Sequence, residues 1–330
     1  MDCDNILLNC NLSSLRFITW YESVGSNMVI DCLTRDQDMI RDWLRAIRVK
    51  FFLASVIAVL VGLSVAYWKT GHINYNYAIL TVLGVVSLHA SIDLLNDYWD
   101  YVRGIDKDTK RTRFSGGTGV LPENILSPRT VYIAGIVFLC VGAIIGIYFV
   151  TIRGEVIALI LVFAIISIYF YSTKIVNMGL GEALIVLKGM LIVQGAYYVQ
   201  TPELSTAAVY NGLIVGILSA TVLFANSFPD FEADKRHGRH TLVILLGRKY
   251  GAKFFTIFIL VPYALIVVGT LDGYTKVYTL VCLTTLPLAI RAIVFLNKDF
   301  IGETSLLIVM SNTIWCSRLT GCLLAISLIM

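Results

Sequence analysis

The chain has 330 residues, of which 57% are hydrophobic and only 15% are charged. A soluble globular domain usually has about 25% charged residues, so this composition excludes an ordinary soluble domain and predicts a membrane protein. The net charge of +4 is small and gives no sign of a nucleic-acid partner. The seven cysteines contain no C-x-x-C pair, which argues against a zinc site and against a disulfide framework.

The apolar stretches predict an all-α, polytopic membrane protein. Residues 1–38 form an N-terminal tail to which the sequence assigns no function, and residues 39–330 form a single transmembrane domain that begins with a basic amphipathic segment. A spanning helix needs about 20 apolar residues. On this basis the sequence predicts nine transmembrane helices, at 51–68, 77–95, 131–150, 156–171, 180–199, 207–228, 254–271, 277–296 and 305–330.

Two long polar connections, 96–129 and 229–253, follow the second and sixth spans and therefore lie on the same side as the N-terminus. Twenty of the 26 basic residues fall on that side, whereas the other side has only Lys69, Arg153 and Lys276. An excess of lysine and arginine marks the cytoplasmic side of a membrane protein. We therefore predict a cytoplasmic N-terminus, two cytoplasmic long loops and an external C-terminus, in an integral protein of the cell membrane.

Two acidic clusters lie at the ends of predicted spans. If the end of the second span is helical, four of its side chains share one face by the i, i+3, i+4 rule: Asp93, Asn96, Asp97 and Asp100. After the sixth span, the spacing i, i+4, i+8 is repeated by Asn226, Asp230 and Asp234. Like charges at such spacings repel each other unless a cation joins them. The shared Asn-x-x-x-Asp pattern predicts an internal repeat in which each half of the bundle supplies one acidic cluster.

The ligands of these clusters are all oxygen atoms, which favours Mg²⁺ held by carboxylates together with phosphate oxygens. The metal alone would not need the basic residues nearby, which include Arg48, Arg103, Lys107 and Arg239. Their presence indicates a substrate that carries phosphate. Acidic clusters with a cationic rim at a membrane boundary predict a lipid diphosphate whose head binds at the mouth and whose tail lies among the helices.

Other polar and aromatic residues have two readings. Tyr169 and Tyr171 lie beside Lys174, and their rings either shelter a carbocation by the cation–π effect or belong to an interfacial aromatic belt. Lys188 and Arg318 are ionisable at membrane depth, which marks a functional or a paired position. The histidines show no spacing typical of a metal site, and we interpret them all as structural or loop residues: His72, His89, His237 and His240.

These motifs resemble the UbiA superfamily of intramembrane prenyltransferases from about Trp43 to the C-terminus. Residues 96–106 are similar to the first aspartate-rich motif of that family, and residues 230–238 to the second. The stretches 114–119, 179–182 and 197–201 are similar to the branch that prenylates dihydroxynaphthoate in menaquinone synthesis. The resemblance implies a nine-helix bundle with a central cavity, dependence on Mg²⁺, and transfer of an isoprenoid from its diphosphate to an acceptor.

The residues and the resemblance together predict which side chains bind the metal, the diphosphate, the allylic cation and the acceptor. Mg²⁺ is expected on five side chains, namely Asn96, Asp100, Asn226, Asp230 and Asp234. The diphosphate is expected on Arg48, Arg103, Lys107, Lys174 and Arg239. Tyr169 and Tyr171 would stabilise the allylic cation, and Asp93 or Asp97 would orient or deprotonate the acceptor.

The partners expected on this reading are a prenyl diphosphate donor, a small aromatic or lipid acceptor and membrane lipid, with no nucleic acid. Two alternatives remain open. One is prenyl transfer to the hydroxyl of a glycerol lipid. The other is a cation-coupled transporter or a lipid-binding protein.

Overall fold

The structure is a computed structural model that describes residues 38–105, 111–112, 114–171, 174, 178–297 and 302–330. These residues form helices, turns and loops and contain no β-strand, in agreement with the predicted all-α class. The chain forms two compact units, Met1–Arg45 and Ala46–Met330. In the first unit the described residues, 38–45, are helical.

The second unit contains the bundle of helices. A 3₁₀ turn at Val49–Phe51 leads into the first helix, and a 3₁₀ segment at Val277–Thr285 leads into the ninth. The α-helices are α1 (Phe52–Thr70), α2 (Tyr75–Val102), α3 (Pro128–Arg153), α4 (Glu155–Phe170), α5 (Gly181–Gln200), α6 (Thr206–Asn226), α7 (Phe231–Arg236), α8 (Leu242–Leu271), α9 (Leu286–Leu296) and α10 (Glu303–Ile329).

Eight helical segments of the described chain are long and apolar enough to cross a membrane. They correspond to eight of the nine predicted spans, and they include the 3₁₀ segments before α1 and α9. The fourth predicted span, 156–171, corresponds to α4, which is apolar but has only 16 residues. This length is slightly below the range of about 17–25 residues that is usual for a spanning helix.

Close packing of small residues holds α5 against α6. A Cβ atom added at Gly216 would lie 2.4 Å from the Val186 carbonyl oxygen, and one added at Gly189 would lie 2.4 Å from the Cα atom of Gly216. Such contacts let two helix backbones approach closely where lipid gives little hydrophobic driving force. The relative position of these two helices matters for the site, because each contributes residues to the same cavity.

The helix boundaries differ from the predicted ones at both acidic clusters. Helix α2 continues through the whole acidic segment and ends at Val102, just before Gly104, which has a φ of 78°. Helix α6 instead ends at Asn226 and is followed by a turn over 227–230 that contains Pro229, whose missing N–H disfavours a continuous helix. The second cluster therefore bends around a turn into the short helix α7, whereas the first is straight.

Candidate functional site

The two acidic segments meet at one cavity of about 290 Å³. Six of the seven predicted side chains of these segments line it, namely Asp93, Asn96, Asp100, Asn226, Asp230 and Asp234. The first three project from the last turns of α2, and the others come from the end of α6, the turn and α7. The cavity volume is close to the lower end of the range for small-molecule sites, about 300–1,000 Å³.

Arg239 connects the two acidic segments. Its guanidinium group donates hydrogen bonds to the carboxylates of Asp100, on α2, and Asp234, on α7, the second at 3.3 Å. Burial alone would lower the pKa of Arg239, but Asp100 and Asp234 together hold this pKa above its ordinary value. Arg239 is therefore a permanent positive charge in the wall of the cavity.

Arg48 is a second cation in the cavity wall. It lies just before the first span with left-handed backbone angles, φ 50° and ψ 45°, and its guanidinium donates to Asp97. Burial acts to lower the pKa of Arg48, but the carboxylates around it, Asp97 first, raise this pKa. Asp97 also accepts from the Thr118 hydroxyl and is not among the residues that line the cavity. The structure thus places Asp97 behind Arg48, as a residue that positions it.

Two buried oxygen atoms of the second acidic segment have no hydrogen-bond partner among the described residues: Oδ1 of Asn226 and Oδ1 of Asp230. Burial, and next the neighbouring Asp234, raise the pKa of Asp230 to about 7. A buried oxygen without a donor is costly, and a hard cation with carboxylate and amide ligands would remove this cost. The side chains present therefore fit Mg²⁺.

The carboxylates themselves do not form a compact metal cluster. In the described parts of the chain, no group of three or more His, Cys, Asp or Glu side chains has the arrangement of a metal site. The physical reason lies in the ion pairs, because Arg239 lies between Asp100 and Asp234 and holds one oxygen of each. Asn96 further donates to the other Asp100 oxygen at 3.2 Å.

A second, apolar pocket of about 80 Å³ adjoins the deep end of the cavity. His89 and Lys188 line both spaces. The Nδ1 atom of His89 lies 2.6 Å from the Ser55 hydroxyl, and its Nε2 atom lies 3.5 Å from Asp93. His89, which the sequence analysis interpreted as a structural or loop residue, thus borders the cavity. The histidines have no spacing typical of a metal site, so the sequence did not mark His89 as a cavity residue. Lys188 was marked, because an ionisable residue at membrane depth indicates a functional or paired position.

The structure separates the two predicted aromatic residues. Tyr171 lines the cavity, but Tyr169 does not, and Tyr169 is 40% exposed. Residues two positions apart on a helix point to nearly opposite sides, so the sequence pair could not place both rings on one wall. The prediction that Tyr169 forms a wall of this cavity is corrected accordingly.

Two predicted diphosphate ligands, Arg103 and Lys174, do not line the cavity. Arg103 is the C-cap residue of α2 and is half-exposed. Lys174 is exposed, with its Nζ atom 5.1 Å from the centre of the Phe170 ring. Lys107 lies outside the described residues. Arg48 and Arg239 are thus the two predicted cations that the structure brings to the cavity.

One part of the cavity wall was indicated in the sequence only by the family resemblance. Ser115, Gly116 and Gly117 line the cavity from the loop that follows α2. The two glycines have φ angles of 87° and 73°, which residues with a side chain rarely adopt. These residues line the same cavity as the acidic end of α2.

Comparison with known proteins agrees with this geometry. The model of the UbiA prenyltransferase family matches residues 55–300. The chain is 28% identical over 258 residues to 2-carboxy-1,4-naphthoquinone phytyltransferase of Synechocystis sp., covering 76% of this chain and 81% of that protein. It is 29% identical over 222 residues to 1,4-dihydroxy-2-naphthoate octaprenyltransferase of Escherichia coli, covering 64% of this chain and 71% of that protein.

Solved structures share the fold. A UbiA homolog from Archaeoglobus fulgidus bound to DMAPP and Mg²⁺ superposes with a TM-score of 0.64 at 17% identity, covering 87% of this chain and 99% of that chain. The match of the family model extends over well more than half of the sequence and includes both acidic segments. The chain belongs to the UbiA prenyltransferase family, as its motifs predicted, and is an integral membrane prenyltransferase.

Proposed function

We propose that this chain is a Mg²⁺-dependent enzyme that transfers an isoprenoid from its diphosphate to an aromatic precursor of a quinone. The observation that carries the proposal is the convergence of both acidic segments on one cavity that also holds Arg48 and Arg239. Such a cavity offers oxygen ligands and fixed positive charge at its polar end. An apolar pocket adjoins the other end, as an isoprenoid substrate requires.

The polar end would bind the diphosphate head. Asn96, Asp100, Asn226, Asp230 and Asp234 would hold Mg²⁺, which when bound supplies positive charge to the departing diphosphate. Arg239 is already charged and directed into this space, so its guanidinium can bind phosphate oxygens in addition to carboxylates. Arg48, which is held in place by Asp97, can bind phosphate oxygens in the same way.

The remaining residues would act on the allylic cation and the acceptor. The Tyr171 ring lines the cavity, and its electron-rich face can stabilise a cation. Asp93 has a buried oxygen, Oδ2, without a hydrogen-bond partner in the described chain, so it can accept a hydrogen bond or a proton from the acceptor. The apolar walls exclude water, which would otherwise capture the cation.

The aromatic acceptor is inferred from relatives. Two of them act, by their names, on naphthoquinone or naphthoate compounds. The second candidate, transfer to a glycerol lipid, is favoured by one fold neighbour described as a digeranylgeranylglyceryl phosphate synthase, with a TM-score of 0.61 and 17% identity. The higher identity of the first group favours the aromatic acceptor.

Purified protein should be incubated with labelled geranylgeranyl diphosphate, Mg²⁺ and a panel of aromatic and glycerol-lipid acceptors, with products identified by mass. We expect a prenylated aromatic product. Label found only on a glycerol lipid would establish the second candidate. Cation or lipid binding without any transferred label would favour the transporter or lipid-binding alternative and count against the enzyme proposal.

We further propose nine membrane crossings, with α4 as the fourth, and a cavity mouth on the cytoplasmic side of the cell membrane. The support is the distribution of basic residues, of which twenty lie on the predicted cytoplasmic side and three on the other side. A reporter fused after Ser115 or Arg239 is expected to be cytoplasmic, and one after Met330 external. A reporter after Ser115 on the external side would contradict the proposed orientation.

Metal binding is expected to depend on the diphosphate. Asn96, Asp100, Asp230 and Asp234 would supply only part of the ligand shell of Mg²⁺, and Arg239 competes for two of these carboxylates. Calorimetry should therefore show weak Mg²⁺ binding alone and at least about tenfold tighter binding with a non-hydrolysable prenyl diphosphate analogue, with the reciprocal effect on the analogue. Equally tight metal binding in both cases would argue against a shared site.

A further inference from the structure

The glycine-rich loop after α2 lines the cavity but has no part in the chemistry proposed so far. Its sequence over 114–119 is Phe-Ser-Gly-Gly-Thr-Gly. Gly116 and Gly117, which we call the glycine pair, both line the cavity and both have positive φ angles, 87° and 73°. Successive backbone N–H groups in a turn conformation can form a concave site for an anion.

The N–H groups of the glycine pair have no hydrogen-bond acceptor in the part of the chain that the structure describes. On either side of the pair, the N–H groups of Ser115 and Thr118 do have acceptors. Gly116 is buried, and a buried N–H group without a partner costs about as much free energy as a lost hydrogen bond. Because both glycines line the cavity, an acceptor bound in the cavity would remove this cost.

Asp97 holds the glycine pair beside a cation. Its Oδ1 atom accepts from the guanidinium group of Arg48, and its Oδ2 atom accepts from the hydroxyl of Thr118 and, at 3.4 Å, from the N–H of Thr118. Thr118 directly follows Gly117 in the chain. One carboxylate thus fixes both Arg48 and the end of the glycine pair, so an anion that Arg48 binds lies close to the free N–H groups.

The chemistry of an N–H group favours the diphosphate as this anion. Phosphate oxygens carry negative charge and accept strong hydrogen bonds from backbone N–H groups. Arg239, by contrast, already binds the carboxylates of Asp100 and Asp234. The N–H groups of the glycine pair carry no net charge, so they can bind phosphate oxygens without competing with Mg²⁺ for the acidic segments.

We propose that the glycine pair binds the donor diphosphate through the backbone N–H groups of Gly116 and Gly117. This inference rests on the proposed function, because it adds two binding groups to the same site. When the allylic C–O bond breaks, its electron pair goes to the diphosphate oxygen. The negative charge on the diphosphate therefore grows, and hydrogen bonds to it become stronger in the transition state than in the bound substrate.

The first test observes the two N–H groups directly by NMR. The dipeptides Ser-Gly and Gly-Gly each occur once in the chain, at 115–116 and 116–117. Cell-free synthesis of the full chain with carbonyl-¹³C serine and ¹⁵N glycine therefore selects the Gly116 amide, and doubly labelled glycine selects the Gly117 amide. Inorganic diphosphate with Mg²⁺ should move both amide protons downfield, as hydrogen bonds to charged oxygens do. Mg²⁺ alone should not move them.

Other glycines of the chain provide the control for this test. Labelled threonine in place of serine selects the amides of Gly71, Gly119 and Gly321, whose protons should not move. Gly119 is the closest match, because it lies in the same loop with a φ of 80° but does not line the cavity.

The second test compares Gly117→Ala with Gly119→Ala by calorimetry with inorganic diphosphate and Mg²⁺. A positive φ makes alanine strained at both positions, so both variants should lose some stability. Only Gly117→Ala is expected to lower the affinity for diphosphate, by about tenfold, as for the loss of a hydrogen bond to a charged group.

The outcomes separate this inference from the proposed function. Unmoved amide protons of Gly116 and Gly117 in wild-type protein that binds diphosphate would overturn the inference and leave the proposed function intact. An equal loss of affinity in both alanine variants would also overturn it, because the loop would then act only through its fold. If a variant does not fold, the NMR result on the wild type decides. If the wild type does not bind diphosphate, the proposed function fails and the inference fails with it.

Discussion

Replacing Asp230 by alanine is expected to lower kcat by about a hundredfold or more, and Asp100→Ala should have a similar effect. Each carboxylate is proposed to stabilise, through the metal, charge that is larger in the transition state than in the bound diphosphate. Removing such an interaction lowers kcat as well as kcat/KM. A hundredfold loss corresponds to about 3 kcal/mol at about 1.4 kcal/mol per factor of ten. The steady-state rate of prenyl transfer, with the product detected by mass, compares kcat of each variant with that of the wild type.

The two losses should not add. Once either segment loses its part of the metal site, the diphosphate is no longer held between them, so the double variant should be little slower than the slower single one. Asp272→Ala is the matched control, because Asp272 is exposed at the far end of the 30-residue helix α8. Full multiplicative loss in the double variant would mean that the two segments act independently. Unchanged transfer in both single variants would exclude them from the reaction.

The sequence predicted the acidic part of this site well because the residues of each acidic segment are close together in the chain. Asp93, Asn96 and Asp100 lie on one helix, so their i, i+3 and i+7 relation follows from helix geometry alone. The second segment contributes the predicted residues even though it bends at Pro229, because Asn226, Asp230 and Asp234 still line the cavity. Here the shared Asn-x-x-x-Asp pattern indicated convergence correctly, although it predicted a longer helix.

The contacts that the sequence did not predict are those between distant segments. Asp97 shares the face of α2 with its neighbours but is held by Arg48 and Thr118, which come from other parts of the chain. Tyr169 and Tyr171 are adjacent in the motif and lie on different sides of the helix end. His89 acquires its position from Ser55 on another helix. Local spacing contains no information about such partners.

Replacing Gly216 by alanine should destabilise the bundle strongly, in contrast to the usual effect of this change in a helix. Alanine is normally favoured over glycine inside a helix by about 1 kcal/mol. At Gly216, however, the new Cβ atom would lie 2.4 Å from the Val186 carbonyl oxygen and 2.9 Å from the Val186 Cα atom. Both are backbone atoms, so the contact can be relieved only if α5 and α6 move apart. Overpacking of this kind costs about 1–3 kcal/mol or more.

Gly195→Ala is the matched control on α5, because its added Cβ atom would meet only the Ile160 side chain, at an ordinary 3.6 Å. The measurement is the amount of folded protein recovered from size-exclusion chromatography after heating. The temperature at which this amount falls should be lower for Gly216→Ala than for the wild type. For Gly195→Ala this temperature should be equal to that of the wild type or higher. The displacement should also reach the site, because α5 contains Lys188, next to Gly189, and α6 ends at Asn226. Loss of binding of the prenyl diphosphate analogue below the unfolding temperature would reveal this second effect. If Gly216→Ala were as stable as Gly195→Ala, the two helices would not need so close an approach.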